Sequence, residues 1–367
     1  MEFELTQTQR ELFDGTLHWA RNLSTASGGG TAGGTRERWE NSDQPTASGL
    51  PWTKDVAAAL DLVIAMQALG YGSTDAQWVL ALTAHLFGGE APISKWGTAE
   101  QQAAFLPKLM SGAWYASRCL SAEVTAERVN GAFRLNGRTG IASAGRKPDV
   151  ALVFARMSGD PESPSCTFLV SLAGTDAVIW ERSRGHTLGC ADALRLDKVS
   201  VPGDRMLGAE ADADALLAHL VPREHLAVQA TRLGLLQRLL ERALDAARAH
   251  ALRLKLKGVP PHAYQMLGHK LADFSVRFDA AELMLRRAAW LMDGRDAAAE
   301  VALAGLAIES GVIPTAFEVV RLQREYGFDE ERAWSGLLAD AVEYGRFLCG
   351  VAQMRSTVGA AIRMGST

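Results

Sequence analysis

Cysteine is sparse in this 367-residue chain, with Cys119, Cys166, Cys190 and Cys349 scattered along it and forming no Cys-x-x-Cys. That excludes a disulfide scaffold or a thiolate zinc site, and reads as buried free thiols in a reducing cytoplasm. His85 and His186 have no second ligand at metal spacing, so no metal is expected. Neither sign of charge is in large excess: 38 Lys and Arg stand against 42 Asp and Glu, a formal net charge of −4. No basic stripe is interleaved with aromatics, so nucleic acid and acidic membranes are not expected partners. No uninterrupted apolar run reaches bilayer length. Met1 opens on Glu2-Phe3-Glu4 without a basic start or an apolar core, so neither insertion nor export is expected. Residues 24–35 hold five glycines but no Gly-x-x-x-x-Gly-Lys, and they follow no strand. They read as a flexible loop rather than a phosphate cradle.

What is present suits a globular chain of two or three domains, with 48% hydrophobic and 22% charged residues. Leu5-Thr6-Gln7-Thr8-Gln9 is a capping box opening a helix whose apolar face carries Leu12, Phe13, Leu17 and Ala20. Helical spacing runs from Lys54 to about Leu86, broken at Gly70-Tyr71-Gly72, and a further helix starts after Thr98 and stops at Ser111-Gly112. From Ala113 the pattern changes to short runs rich in Val, Leu, Phe and Thr. Expected strands are Phe133–Leu135, Val150–Ala155, Thr167–Leu172, Ala177–Trp180 and Leu194–Val199, with turns at Asn130-Gly131, Asn136-Gly137, Gly159-Asp160 and Pro202-Gly203. From Ala209 the chain is helical again. The expected organisation is an N-terminal helical domain (1–112), a middle β domain (113–208) and a C-terminal helical bundle (209–367).

In the last of these, Leu226, Ala230, Leu233, Leu236, Leu240, Ala243 and Ala247 form one apolar stripe. After Gly258-Val259-Pro260-Pro261 the spacing resumes with Met266, Leu271, Phe274, Phe278, Ala281, Leu285 and Ala289, which predicts two helices that bury both stripes. Glu224 stands apart, just after Pro222 and beside His225, at the expected mouth of the first helix. A carboxylate in a first turn is favoured by the helix dipole without any chemistry. His225 either orients Glu224 or caps the helix. Trp78, Trp180 and Trp290 read as core.

Particular residues narrow the field. Gln67-Ala68-Leu69-Gly70, Trp96-Gly97-Thr98 through Gln101-Gln102, Leu106-Pro107, Phe133-Arg134-Leu135-Asn136-Gly137 and Val199-Ser200-Val201-Pro202 through Leu207-Gly208 come first. Gly234-Leu235-Leu236-Gln237-Arg238, Gly258 with Gln265, Lys270-Leu271-Ala272-Asp273, Arg287-Ala288-Ala289-Trp290 and Tyr326-Gly327-Phe328 follow. In order and spacing this set resembles the acyl-CoA dehydrogenase family over nearly the whole chain. The resemblance implies an α+β fold: an N-terminal helical domain, a middle β-barrel-like domain and a C-terminal four-helix bundle. It also implies FAD lying between the β domain and the C-terminal helices, and an acyl-CoA or related acyl thioester as substrate. In the family a carboxylate takes the α-proton while the β-hydrogen leaves as hydride to the flavin. That demands an aligned base and hydrogen bonds to the developing enolate. Pairing of subunits through the C-terminal helices is implied as well, and Ala302, Leu303, Leu306, Ala307 and Val312 are compatible with it.

The family's usual base, near the C-terminus, is replaced by Leu348, while its second location for a base, used by the isovaleryl and long-chain members, falls on Glu224. Enclosed in an apolar pocket, a carboxylate there would have its pKa raised toward neutral. The resemblance places flavin contacts at Ser121, Ile141, Ala142, Ser143, Arg253 and Gln265. Several of its usual donors have gone. Gly140-Ile141-Ala142 replaces a Trp-Ile-Thr strand, a Glu-Pro-rich loop is shortened to Ala122-Glu123-Val124-Thr125, and Arg321-Leu322-Gln323-Arg324-Glu325 replaces a Gln-x-x-Gly-Gly run. Three readings follow. The chain is a flavin-site-degenerate subunit of a hetero-oligomer, an active homo-oligomeric dehydrogenase with Glu224 as base, or a thioester-binding protein without redox chemistry.

Overall fold

The computed structural model describes residues 5–26, 58–73, 75–119, 124–141, 147–158, 165–172, 178–181, 192–260, 265–326, 331–347 and 350–364. The order is α1 (Gln7–Ala26), α2 (Ala59–Gly72), α3 (Ala76–His85), a π turn (Leu86–Glu90), α4 (Ala91–Trp96) and α5 (Ala99–Met110). Seven strands follow: β1 (Ala116–Arg118), β2 (Val124–Val129), β3 (Ala132–Ile141), β4 (Val150–Met157), β5 (Ser165–Ser171), β6 (Val178–Glu181) and β7 (Asp192–Pro202). The chain closes with α6 (Asp212–Leu256), α7 (Gln265–Met292), α8 (Ala298–Ala307), a second π turn (Ile308–Val312), α9 (Ile313–Tyr326), α10 (Glu331–Phe347) and α11 (Val351–Met364). It divides into two compact units. One comprises residues 1–21, 57–73 and 225–367, the other 22–56 and 74–224.

The expected capping box forms, and a second one forms at the start of α5. Thr6 and Gln9 bond reciprocally, Thr6 N–H to Gln9 Oε1 at 3.0 Å and Gln9 N–H to Thr6 Oγ1 at 3.3 Å. Thr98 and Gln101 do the same at the start of α5, each satisfying an amide that the helix itself leaves open. The Gln101 side chain then donates to the carbonyls of Asp204 and Met206 at 2.7 and 2.8 Å.

The sheet runs β1-β4-β2-β3-β7-β6, with β5 on the other edge of β4. Its inner face carries Val124, Phe133, Leu135, Val153, Phe168, Val170, Leu194 and Val201, all buried together. Asn130 and Gly131, both at positive φ, make the tight β2–β3 turn that their sequence announces. Asn136-Gly137 is not the expected turn. It lies inside β3, where the register against β7 shifts between Leu135 and Gly137, and Gly137 takes a φ of 144° to absorb the bulge.

In the other unit the stripe of α6 from Leu226 to Ala243 is buried, as is that of α7 from Leu271 to Ala289. Met266 and Trp290, expected inside, are 56% and 55% exposed. Trp78 is buried as expected. Gln67 on α2 donates to Gln237 on α6 at 3.0 Å and to Glu282 on α7 at 2.6 Å, tying three helices with one amide. The stretch Ala298–Tyr326 has the length and composition of a bilayer span, against the expectation of none. Its Val301, Ala304, Ile308, Val312 and Ala316 are buried within the unit, which accounts for the apolar composition.

Candidate functional site

The expectation that Glu224 opens a helix is overturned. α6 begins at Asp212 and runs 45 residues with Pro222 inside it, so Glu224 sits more than three turns from the N-terminus. The dipole of a first turn therefore does not account for this carboxylate, and His225 lies in mid-helix rather than at a helix end.

Glu224 is fully buried, and its partner is Arg118, the last residue of β1, itself 6% exposed. Arg118 Nε donates to Glu224 Oε2 at 2.6 Å, and the Nη2 of the same guanidinium pairs with that same oxygen. Arg118 Nη1 donates to the Cys119 carbonyl at 3.3 Å. Oε1 of Glu224 has no hydrogen-bond partner among the described residues. A buried acceptor left open costs roughly 1–3 kcal/mol, and buried ion pairs are often no more stable than an apolar replacement. The arrangement is thus a stability liability that a folding requirement does not explain.

Local structure fixes Arg118. β1 pairs in parallel with β4, Ala116 opposite Val150 and Arg118 opposite Leu152, and Cys119 N–H continues the ladder to the Leu152 carbonyl at 2.9 Å. The π turn presses on the other side. A Cβ on Gly88 would stand 2.4 Å from the Ser117 backbone, so only glycine permits this approach. The Ala116 amide donates to His85 Nδ1 at 3.0 Å. That places the ring proton on Nε2, which donates to Glu90 Oε1 at 3.0 Å within the buried core. π turns interrupt helices frequently at functional sites.

One turn before Glu224, His219 lies 3.1 Å from Arg223 Nη1 and 3.1 Å from Lys95 Nζ, edge-on to Trp96. Burial first, then the two cations, push His219 down to about 4. Burial also pushes the Cys119 thiol up, to about 12.

The residues that the resemblance assigns to flavin are distributed unevenly. Ser121, Ala142 and Ser143 lie outside the described residues, as do Leu348 and the Gly327-Phe328 pair, and Ile141 ends β3. Arg253, in the last turn of α6, and Gln265, first in α7, are exposed, and their side chains bond no other described residue. A free guanidinium and a free carboxamide suit the phosphate and carbonyl acceptors of a dinucleotide, so these two fit FAD. Arg321 does not offer itself in the same way, since it pairs with Glu318 at 3.0 Å and Glu325 at 3.5 Å along α9. Arg118 was not among the sequence candidates. Its only signal was one charge in the run Tyr115-Ala116-Ser117-Arg118-Cys119-Leu120. Among the described residues no group of acidic, His and Cys side chains is set to hold a metal.

Residues 222–360 match the family profile described as acyl-CoA dehydrogenase, C-terminal domain, and residues 52–113 match acyl-CoA dehydrogenase, N-terminal domain. The chain belongs to the acyl-CoA dehydrogenase family. Among curated relatives of this dehydrogenase-family chain, an L-prolyl-[peptidyl-carrier protein] dehydrogenase of Pseudomonas fluorescens is 27% identical over 299 residues, 77% of this chain and 78% of the relative. A protein of the same name from a Serratia species is 25% identical over 287 residues, 74% of this chain and 73% of the relative. Among solved structures, PigA with FAD and proline superposes with a TM-score of 0.83 at 21% identity, covering 100% of both chains. That likeness confirms the α+β architecture of N-terminal helices, middle sheet and C-terminal helices.

Proposed function

We propose that this chain catalyses α,β-dehydrogenation of an acyl thioester, with Glu224 as the base. The observation that carries this is the buried Glu224 carboxylate, one oxygen held by Arg118 and the other open. A general base must have a free lone pair where the proton will be, in a site from which water is excluded. FAD, when bound, takes up the β-hydrogen as hydride, and Arg253 and Gln265 are the described residues that would hold it. The acyl group is carried on CoA or on a carrier protein, and the two prolyl-carrier relatives favour the carrier. A second copy or a related dehydrogenase chain is the expected partner. Exposed Trp290 and Phe317 on the C-terminal helices support such pairing.

A second reading rests on α9. Where the family has its Gln-x-x-Gly-Gly run, Arg321 and Glu325 are paired on a continuous helix, as a flavin-site-degenerate subunit of a hetero-oligomer would show. The absorption spectrum of the purified chain separates the two. A near-stoichiometric flavin band in the lone chain, with turnover lost in Glu224→Gln, supports the active enzyme. A colourless chain that acquires flavin only when co-expressed with a complete dehydrogenase supports the subunit reading. A chain that binds thioester and never flavin overturns both.

A further inference from the structure

Two donors of one guanidinium converge on a single carboxylate oxygen, where a fork-on-fork pair would engage both. We propose that Arg118 is the positioning residue of the base, turning Glu224 so that Oε1 alone accepts the proton. This rests on the proposed role of Glu224. In the step it serves, the α-C–H bond breaks, its electron pair stays on the α-carbon, and the proton bonds to Oε1. That pair becomes the Cα–Cβ π bond as the β-hydrogen departs as hydride, which FAD, held by Arg253 and Gln265, would accept.

Four features support the assignment. Oε2 accepts the Nε–H of Arg118 and is ion-paired with its Nη2, so Arg118 occupies that oxygen, whereas Oε1 is open and buried. The Arg118 backbone is immobilised from both sides, by the β4 ladder and by the π turn at Gly88. The third guanidinium nitrogen is anchored on the Cys119 carbonyl, which fixes the plane of the group. Finally, a planar guanidinium with several donors can define a carboxylate's rotation, which a point charge such as lysine's ammonium cannot.

The test separates proton transfer from redox chemistry with a thioester that has no β-hydrogen, the 3,3-dimethylbutanoyl ester of CoA or of pantetheine. Incorporation of solvent deuterium at its α-carbon reads the base alone, in holoenzyme of known flavin content. Wild type is expected to exchange and Glu224→Gln not to. Arg118→Met is expected to lose on the order of 100-fold in maximal exchange rate, the scale of a misplaced catalytic group, with the half-saturating thioester concentration unchanged. Arg118→Lys keeps the charge and should recover only part of the loss. Should Arg118→Met fail to fold, Arg118→Lys decides the question. Either folded Arg118 variant exchanging at the wild-type rate overturns the role of Arg118 while leaving Glu224 as base. A loss confined to thioester affinity does the same, marking Arg118 as a binding residue. Exchange that persists in Glu224→Gln, or that is missing from wild type, overturns the reading of Glu224 itself and the inference with it.

Discussion

Gly234 on α6 lies so close to Gln67 on α2 that a Cβ added to it would stand 2.1 Å from the Gln67 carbonyl oxygen. The contact is reciprocal, since a Cβ on Gly70 would stand 2.1 Å from the Thr231 carbonyl oxygen. Alanine normally improves a helix by about 1 kcal/mol over glycine. Here backbone meets backbone and neither helix can yield cheaply. Gly234→Ala is therefore expected to destabilise by roughly 1–3 kcal/mol, the usual cost of overpacking. A fall in the urea midpoint with an unchanged slope would show it, and a stabilised variant would refute the close contact.

Arg232 is fully buried and holds Glu309 at 2.7 Å, Gln229 Oε1 at 2.9 Å and the Ala341 carbonyl at 2.7 Å. Removing the carboxylate leaves a buried cation without its counter-charge, so Glu309→Ala should cost about 3 kcal/mol. Adding Arg232→Met to it should restore part of that stability. A double-mutant cycle by chemical denaturation reads the coupling, and strictly additive losses would deny it.

His219 makes stability depend on pH. Its folded value of about 4 lies below the ordinary 6.5 because of burial and then the Arg223 and Lys95 charges. Between those values the unfolded chain holds more protons, so stability rises with pH through that window and is lost as pH falls from about 6.5 toward 4. The ring is partly solvated, and screening holds the effect to about 1 kcal/mol or less. Lys95→Met should raise the His219 value and flatten the slope, as read from urea midpoints at pH 4.5 and 7. An unchanged slope would count against the cluster.

Cys119 should resist chemistry. Its thiol is fully buried and pushed up to about 12, so at pH 8 almost none is thiolate. Iodoacetamide followed by peptide mass spectrometry should leave Cys119 unmodified in the native chain and modified after denaturation. Labelling of the native protein at Cys119 would show that the strand opens locally.

Features set by neighbours in sequence were legible before the structure. Thr6 with Gln9, the helix start after Thr98, and Asn130-Gly131 carry their geometry within four residues. The start of α6 was not legible, because Pro222 reads as a boundary although the flanking turns of a long helix carry it. Asn136-Gly137 misled for a related reason, since a bulge and a turn ask for the same backbone freedom. At the proposed site, register with the family pointed to Glu224. Arg118, 106 residues away in sequence, met it only through the sheet, and no local pattern encodes such a pairing.

The unit built from residues 1–21, 57–73 and 225–367 is interrupted by some 150 residues between Ser73 and His225. Closing that gap costs about 4 kcal/mol of chain entropy before a single α2 contact with α6 repays it. During synthesis α2 emerges early, with Leu62, Val63, Ile64, Met66 and Leu69 destined for burial against helices that the ribosome has yet to make. This helix must wait through the whole middle of the chain for its cover. The middle of synthesis, from α2 until the chain passes His225, is thus the interval in which the protein is most open to chaperones and to aggregation.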